Sequence, residues 1–137
     1  IKNGYQRKLF LGNLYSKRDW GHARDYVEAM WKMLQQKEPN DYVIGTGKTF
    51  TIKEFVNKAA KKIGFKIKWI GKDIKERAIN IENGKVLIEC KQRYFRPVEV
   101  DYLKGNAQKA KKILKWSPKI TIDNLIEEMI EHEKNLL

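Results

Sequence analysis

One cysteine, three prolines, two histidines and no apolar run longer than three residues set the first limits on this 137-residue chain. A lone cysteine excludes an internal disulfide and fits a reducing, cytoplasmic compartment. Runs of three apolar residues exclude a hydropathy-defined membrane span or signal-peptide core. His22 and His132, with one thiol, give no recognisable metal-ligand spacing. Glycine is too sparse for a phosphate-cradling loop: Gly45-Thr46-Gly47-Lys48 lacks the third glycine and the helix start that such loops need. No serine stands in a nucleophile-elbow context. The residues present therefore form no self-sufficient catalytic constellation, and no residue is assigned as catalytic or metal-binding.

Positive charge is abundant: the formal net charge is +12. That raises nucleic acid as a partner. Of the 29 basic residues, however, 23 are lysines spread along the chain and only six are arginines. A scattered lysine field steers anions without specifying one. A specific anion site would rest on the arginines, whose planar forks match phosphate.

Hydrophobic patterning predicts a mixed α/β chain. Leu9-Phe10-Leu11 closes on Gly12-Asn13 as a strand entering a turn, and Ile1-Lys2-Asn3-Gly4 resembles the end of a helix, so the sequence looks truncated at its start. Helical spacing of Ala23, Tyr26, Val27, Met30, Met33 and Leu34 predicts a helix over 22–36, stopped by Pro39. Asp41–Gly45 reads as a compact strand. Thr51 and Glu54 form a capping box for a helix that ends at Gly64. Phe65, Ile67 and Trp69 alternate with lysines as a half-buried strand does. Residues 71–84 are polar and aperiodic and read as a loop, followed by a strand at Val86–Ile88. Asn106 and Thr121 are candidate caps for two final helices, the second striped by Ile122, Leu125, Ile126, Met129 and Ile130.

Two segments stand out chemically. Lys17-Arg18-Asp19-Trp20-Gly21-His22 sits at a strand-to-helix transition, where a cation and a helix N-terminus both favour an anion. In Arg93-Tyr94-Phe95-Arg96-Pro97-Val98-Glu99-Val100-Asp101, Pro97 stiffens the backbone after Arg96. Each alone is compatible with an ordinary surface arginine.

In this order, with Leu11-Gly12-Asn13-Leu14 before and Leu103-Lys104-Gly105-Asn106 and Lys115-Trp116-Ser117-Pro118 after, they resemble the GDP-mannose 4,6-dehydratases of the extended short-chain dehydrogenase/reductase superfamily. Lys91-Gln92 depart from that pattern, which has an acidic residue and a proline there. The resemblance implies the C-terminal part of an extended Rossmann-type dehydratase: the last helix and strand of the parallel sheet, within residues 1–48, and a small α+β substrate domain over 49–137. It implies GDP-mannose as substrate and NADP as cofactor, the latter bound by an N-terminal domain that also carries the catalytic Tyr-x-x-x-Lys pair. Hydride then passes from the sugar C4 to the cofactor and returns at C6 after water leaves across C5 and C6. Arg18 and Arg96 would contact the diphosphate and Glu99 the ribose hydroxyls, with Trp20 and Phe95 packing beneath the arginines. Relatives assemble as dimers or tetramers, so a homo-oligomer, or pairing with the N-terminal half, is expected, with no membrane contact. The first helix would expose Tyr26, Val27, Met30, Met33 and Leu34 if the sheet beside it were absent. The alternatives are a non-catalytic nucleotide-sugar-binding or assembly module and a basic nucleic-acid-binding domain.

Overall fold

A computed structural model describes residues 1–96 and 98–136. Pro97, and with it the stiffening expected after Arg96, lies outside the described residues. The chain divides into two compact units, each discontinuous in sequence: residues 1–16 with 51–101, and residues 17–50 with 102–137. The chain passes between the units near residues 16, 50 and 101, and such returns of the chain in space leave no local mark on composition.

In the first unit, β1 (Leu9–Leu11), β4 (Ile67–Ile70), β5 (Arg77–Asn80) and β6 (Val86–Cys90) form a sheet in the order β1-β6-β5-β4, with β1 parallel to β6 and the other pairs antiparallel. Helix α2 (Ile52–Lys62) opens on the expected capping box: the Thr51 hydroxyl accepts from Glu54 N–H, and the Glu54 carboxylate accepts from Thr51 N–H. Val56 of this helix packs with Phe65, Ile67 and Trp69 on Ala78, Leu87 and Ile88. Phe65, Ile67 and Trp69 are half-buried while Lys66 and Lys68 are exposed, as alternation requires.

Strand β5 corrects the reading of 71–84 as a loop. Its inward positions are Ala78 and Asn80, both buried, and its outward residue Arg77 is exposed. The period of two is real but is carried by a small residue and an amide, so it does not register as hydrophobic alternation. A bulge between Ala78 and Ile79 interrupts the pairing with β6.

The second unit contains α1 (Ala23–Leu34), α3 (Gln108–Ile113) and α4 (Ile122–Leu136), with the two-residue strand β2 (Lys17–Arg18); a short strand β3 (Phe50–Thr51) falls where the units divide. Its core is Ala29, Ala110, Leu114 and Trp116, with Tyr26, Met33, Tyr42 and Ile44 packed against it. Buried Asp25 holds the approach to α4. Its carboxylate accepts from Lys119 N–H and Ile120 N–H, both at 2.9 Å, and its carbonyl accepts from the Trp116 indole at 2.7 Å. Thr121 caps α4 as expected, accepting from Asn124 N–H. The cap of the helix at 108 falls one residue after the expected one: Ala107 is its N-cap, and Asn106 instead accepts from Gln108 N–H.

Two helix expectations and one strand expectation change in detail. Tyr26 and Met33 turn into the core, whereas Val27, Met30, Trp31 and Leu34 are 61, 59, 61 and 82% exposed. Met129, expected in the α4 stripe, is exposed. Asp41–Ile44 has no strand partner among the described residues. A parallel strand exists only through its neighbour, and Tyr42 and Ile44 instead contribute side chains to the Trp116 cluster. Among the described residues, no helix is long and apolar enough to cross a membrane.

Candidate functional site

The three residues singled out by sequence fall in different units. Arg18 belongs to the second, Arg96 and Glu99 to the first.

Arg18 ends β2, four residues before His22 caps α1 by accepting from Arg24 N–H through Nδ1. Its side chain is half-buried, and Nη1 donates to the Lys17 carbonyl at 2.9 Å. With Tyr26, Leu103 and Lys104 it lines a cleft of about 320 Å³. Burial, then the carboxylates of Asp19 and Asp25, push the Tyr26 hydroxyl above its ordinary value. It therefore remains a protonated donor at neutral pH, alongside two cations. That donor set suits an anion with several acceptor oxygens. A larger cleft, about 630 Å³, shares Gly45, Lys104 and Gly105 but contains no arginine. Of the two clefts, the smaller one therefore carries the forked donor.

The structure brings forward a residue that sequence reasoning passed over. Asp19 turns away from any anion role, accepting through Oδ1 from Thr46 N–H at 2.9 Å and from the Thr46 hydroxyl. Through Oδ2 it accepts from Gly47 N–H at 2.9 Å and Gly105 N–H at 3.1 Å. Gly45 and Gly105 cross beside it so closely that a Cβ on either would lie 2.9 Å from the other's Cα. The available signal was an acid within a cationic motif together with two distant glycines, which no local pattern connects. Gly45→Ala is expected to cost about 2 kcal/mol through overpacking at this crossing. Chemical denaturation of the intact parent protein measures it, and a loss under about 0.5 kcal/mol would contradict the crowding.

In the first unit, the segment bearing Arg96 is strapped to the end of β1. Lys91 N–H donates to the Leu11 carbonyl at 2.9 Å, and Gly12 sits against Tyr94, whose carbonyl oxygen would be 2.2 Å from a Cβ at that glycine. The single turn Gln92–Tyr94 follows. Arg93 stacks on the Tyr94 ring, its guanidinium carbon 4.6 Å from the centroid. Arg96 is exposed, Glu99 half-buried. Of the two arginines, Arg93 is thus engaged with its neighbour's ring and Arg96 is presented outward. Trp20 and Phe95 are each half-buried. Cys90 offers no nucleophile: burial first, then Glu76, push its thiol up, so it stays protonated.

The family model described as GDP-mannose 4,6 dehydratase matches residues 1–129. The chain belongs to the GDP-mannose 4,6-dehydratase family. A GDP-mannose 4,6 dehydratase of Dictyostelium discoideum is 51% identical over 98% of the chain, and that of Homo sapiens 49% over 93%. The chain spans only 39 and 34% of those two proteins. Among solved structures, RMD from Pseudomonas aeruginosa complexed with NADPH superposes with a TM-score of 0.74, at 18% identity, over 99% of the chain and 39% of its own. A dTDP-glucose 4,6-dehydratase from Bacillus anthracis in complex with NAD gives 0.69, at 23% identity, over 94% of the chain and 35% of its own. At those identities the likeness is one of fold, that of Rossmann-type extended short-chain dehydrogenases/reductases. Both structural neighbours hold a nicotinamide cofactor.

Proposed function

We propose that this chain is the nucleotide-sugar-binding part of a GDP-mannose 4,6-dehydratase, which converts GDP-mannose to GDP-4-dehydro-6-deoxy-mannose. The observation that carries the reading is identity of 44–51% over nearly the whole chain to GDP-mannose 4,6-dehydratases from organisms as distant as Dictyostelium discoideum and Sinorhizobium fredii. In this reading Arg18 and Arg96 contact the diphosphate and Glu99 accepts from the ribose hydroxyls. A pyrophosphate favours forked, permanently charged donors, each charge-assisted hydrogen bond contributing roughly 1.5–3 kcal/mol. Binding energy gathered at the nucleotide orients the remote sugar for reaction.

NADP is the proposed cofactor of the parent protein, but the residues present do not fit it. The only closely spaced glycine pair, at 45 and 47, directs the N–H groups of Thr46 and Gly47 onto Asp19 rather than toward a phosphate. We therefore assign no residue here to the cofactor. Residues 1–48 are proposed to include the Rossmann-side elements and 49–137 the substrate-side ones, a division by role. The exposed stripe of Val27, Met30, Trp31 and Leu34 supports packing of α1 against further polypeptide, either the N-terminal half of the parent or a second copy in a homo-oligomer. The single unpaired cysteine supports a cytoplasmic setting.

Arg96→Ala in the intact parent protein is expected to weaken GDP binding about tenfold, or about 1.4 kcal/mol. Titration calorimetry reads it directly. Unchanged affinity would remove Arg96 from the site. Strongly salt-dependent binding of DNA or RNA, with no preference for GDP-mannose, would favour the nucleic-acid alternative instead.

A further inference from the structure

We infer that Asp19 is a positioning residue for nucleotide-sugar binding: its carboxylate fixes the backbone that follows Arg18, while a backbone hydrogen bond at Lys17 fixes the backbone before it, so that the guanidinium meets its ligand already ordered. The inference rests on the proposed role of Arg18 and adds to it the part that makes Arg18 effective.

The stretch from Lys17 to Asp19 runs alongside residues 102–105, and two hydrogen bonds bracket Arg18 along that line. Before it, Leu103 N–H donates to the Lys17 carbonyl at 3.1 Å, within a parallel bridge between Lys17 and Tyr102. After it, Gly105 N–H donates to Asp19 Oδ2 at 3.1 Å. The remaining donors to Asp19 come from a third stretch of chain, Thr46 and Gly47. One side chain therefore joins three segments far apart in sequence, with two donors on each oxygen. A carboxylate is the only side-chain group of this size that accepts on both oxygens without donating. An amide in its place would turn an NH₂ group toward two N–H donors.

The same arrangement accounts for the glycines. A Cβ on Gly45 would lie 3.1 Å from Asp19 Oδ2, and one on Gly105 would lie 3.3 Å from it. Both backbones reach the carboxylate because neither carries a side chain. The cleft wall next to Arg18 is built from these three residues. Loosening Asp19 would let both the arginine and the wall move. A loosened site pays an ordering cost on binding that an ordered one does not.

The test uses the intact parent protein, with GDP as the probe in titration calorimetry and GDP-mannose in turnover assays. Asp19→Asn is expected to weaken GDP binding about fivefold, with the loss appearing in KM rather than in kcat. In an Arg18→Ala background the same substitution is expected to change GDP affinity less than twofold, because nothing remains to be positioned. A general structural role would instead give the same loss in both backgrounds, and that result would overturn the inference. So would an Asp19→Asn protein that binds GDP like the wild type. If Asp19→Asn does not fold, Thr46→Val removes only the hydroxyl donor and is read against the same Arg18→Ala background; equal losses with and without Arg18 would again overturn it. Unchanged GDP affinity in Arg18→Ala alone would reject the nucleotide-sugar assignment of this cleft. An effect of Arg18→Ala with none from Asp19→Asn would reject only the positioning role.

Discussion

Trp116→Ala is expected to lower the stability of the parent protein by about 4 kcal/mol, within the range for truncating a buried tryptophan. Trp116 is 1% exposed and stands at the centre of the second unit, against Ala29, Ala110 and Leu114. Tyr26 meets it in a tilted ring pair with centroids 6.4 Å apart. Truncation would leave a cavity among small alanines that cannot collapse into it, and would strip the Asp25 carbonyl of its indole donor. Trp116→Phe separates the two effects. It keeps most of the packing and loses the hydrogen bond, so about 1–2 kcal/mol is expected. Urea denaturation of the intact protein measures both, and a loss under about 1 kcal/mol for the alanine variant would mean that this cluster is not the core of its unit.

The second large effect is expected at Glu76, in the first unit. This carboxylate is 3% exposed. Lys53 donates to its Oε1, and the Tyr15 hydroxyl donates to Oε2 at 2.9 Å. The Lys53 ammonium also lies 5.3 Å from the Tyr15 ring centroid and 5.0 Å from that of Trp69. Burial lowers the Lys53 pKa, but the hydrogen bonds it donates to Glu76 and Tyr15, together with their charges, outweigh burial and leave it above its ordinary value. Glu76→Ala removes the counter-charge and leaves a cation three-quarters buried, with a loss of about 3 kcal/mol expected. Lys53→Met combined with Glu76→Leu is expected to recover most of that loss, because no charge then remains to be desolvated. A raised lysine pKa contributes stability that is complete below the unfolded value, near 10.4, and disappears as pH rises through the folded one. The wild-type advantage over the double variant should therefore shrink in strongly alkaline solution and hold steady between pH 6 and 9. A single variant as stable as the wild type would show that the pair contributes no more than an exposed one.

What was legible in the sequence follows from range. The capping box at Thr51 and Glu54 spans four residues, and the alternation from Phe65 to Trp69 spans five; each is complete within its own window. Strand β5 was not legible, because its inward residues are alanine and asparagine and carry no hydrophobic signal. The strand expected at 41–45 had the right composition but no strand partner among the described residues. On α1 the exposure of Val27, Met30 and Leu34 matches the expectation, and only Tyr26 and Met33 depart from it by turning into the core: a helical stripe states which residues are apolar, not which of two surfaces each will meet.

The sequence by itself determined the family and those local elements whose signal is complete in a short window, since motif order and periodicity survive in one dimension. It marked Arg18, Arg96 and Glu99 as the residues to watch. Only the tertiary structure decided that Asp19, beside Arg18 in the cleft wall, accepts from Thr46, Gly47 and Gly105. It likewise decided that Asp25 ties α1 to residues 119 and 120. The physical reason is the same in both cases. A carboxylate finds its donors by proximity in space, and those donors are backbone N–H groups that every non-proline residue carries, so nothing in the sequence distinguishes the ones that will be used.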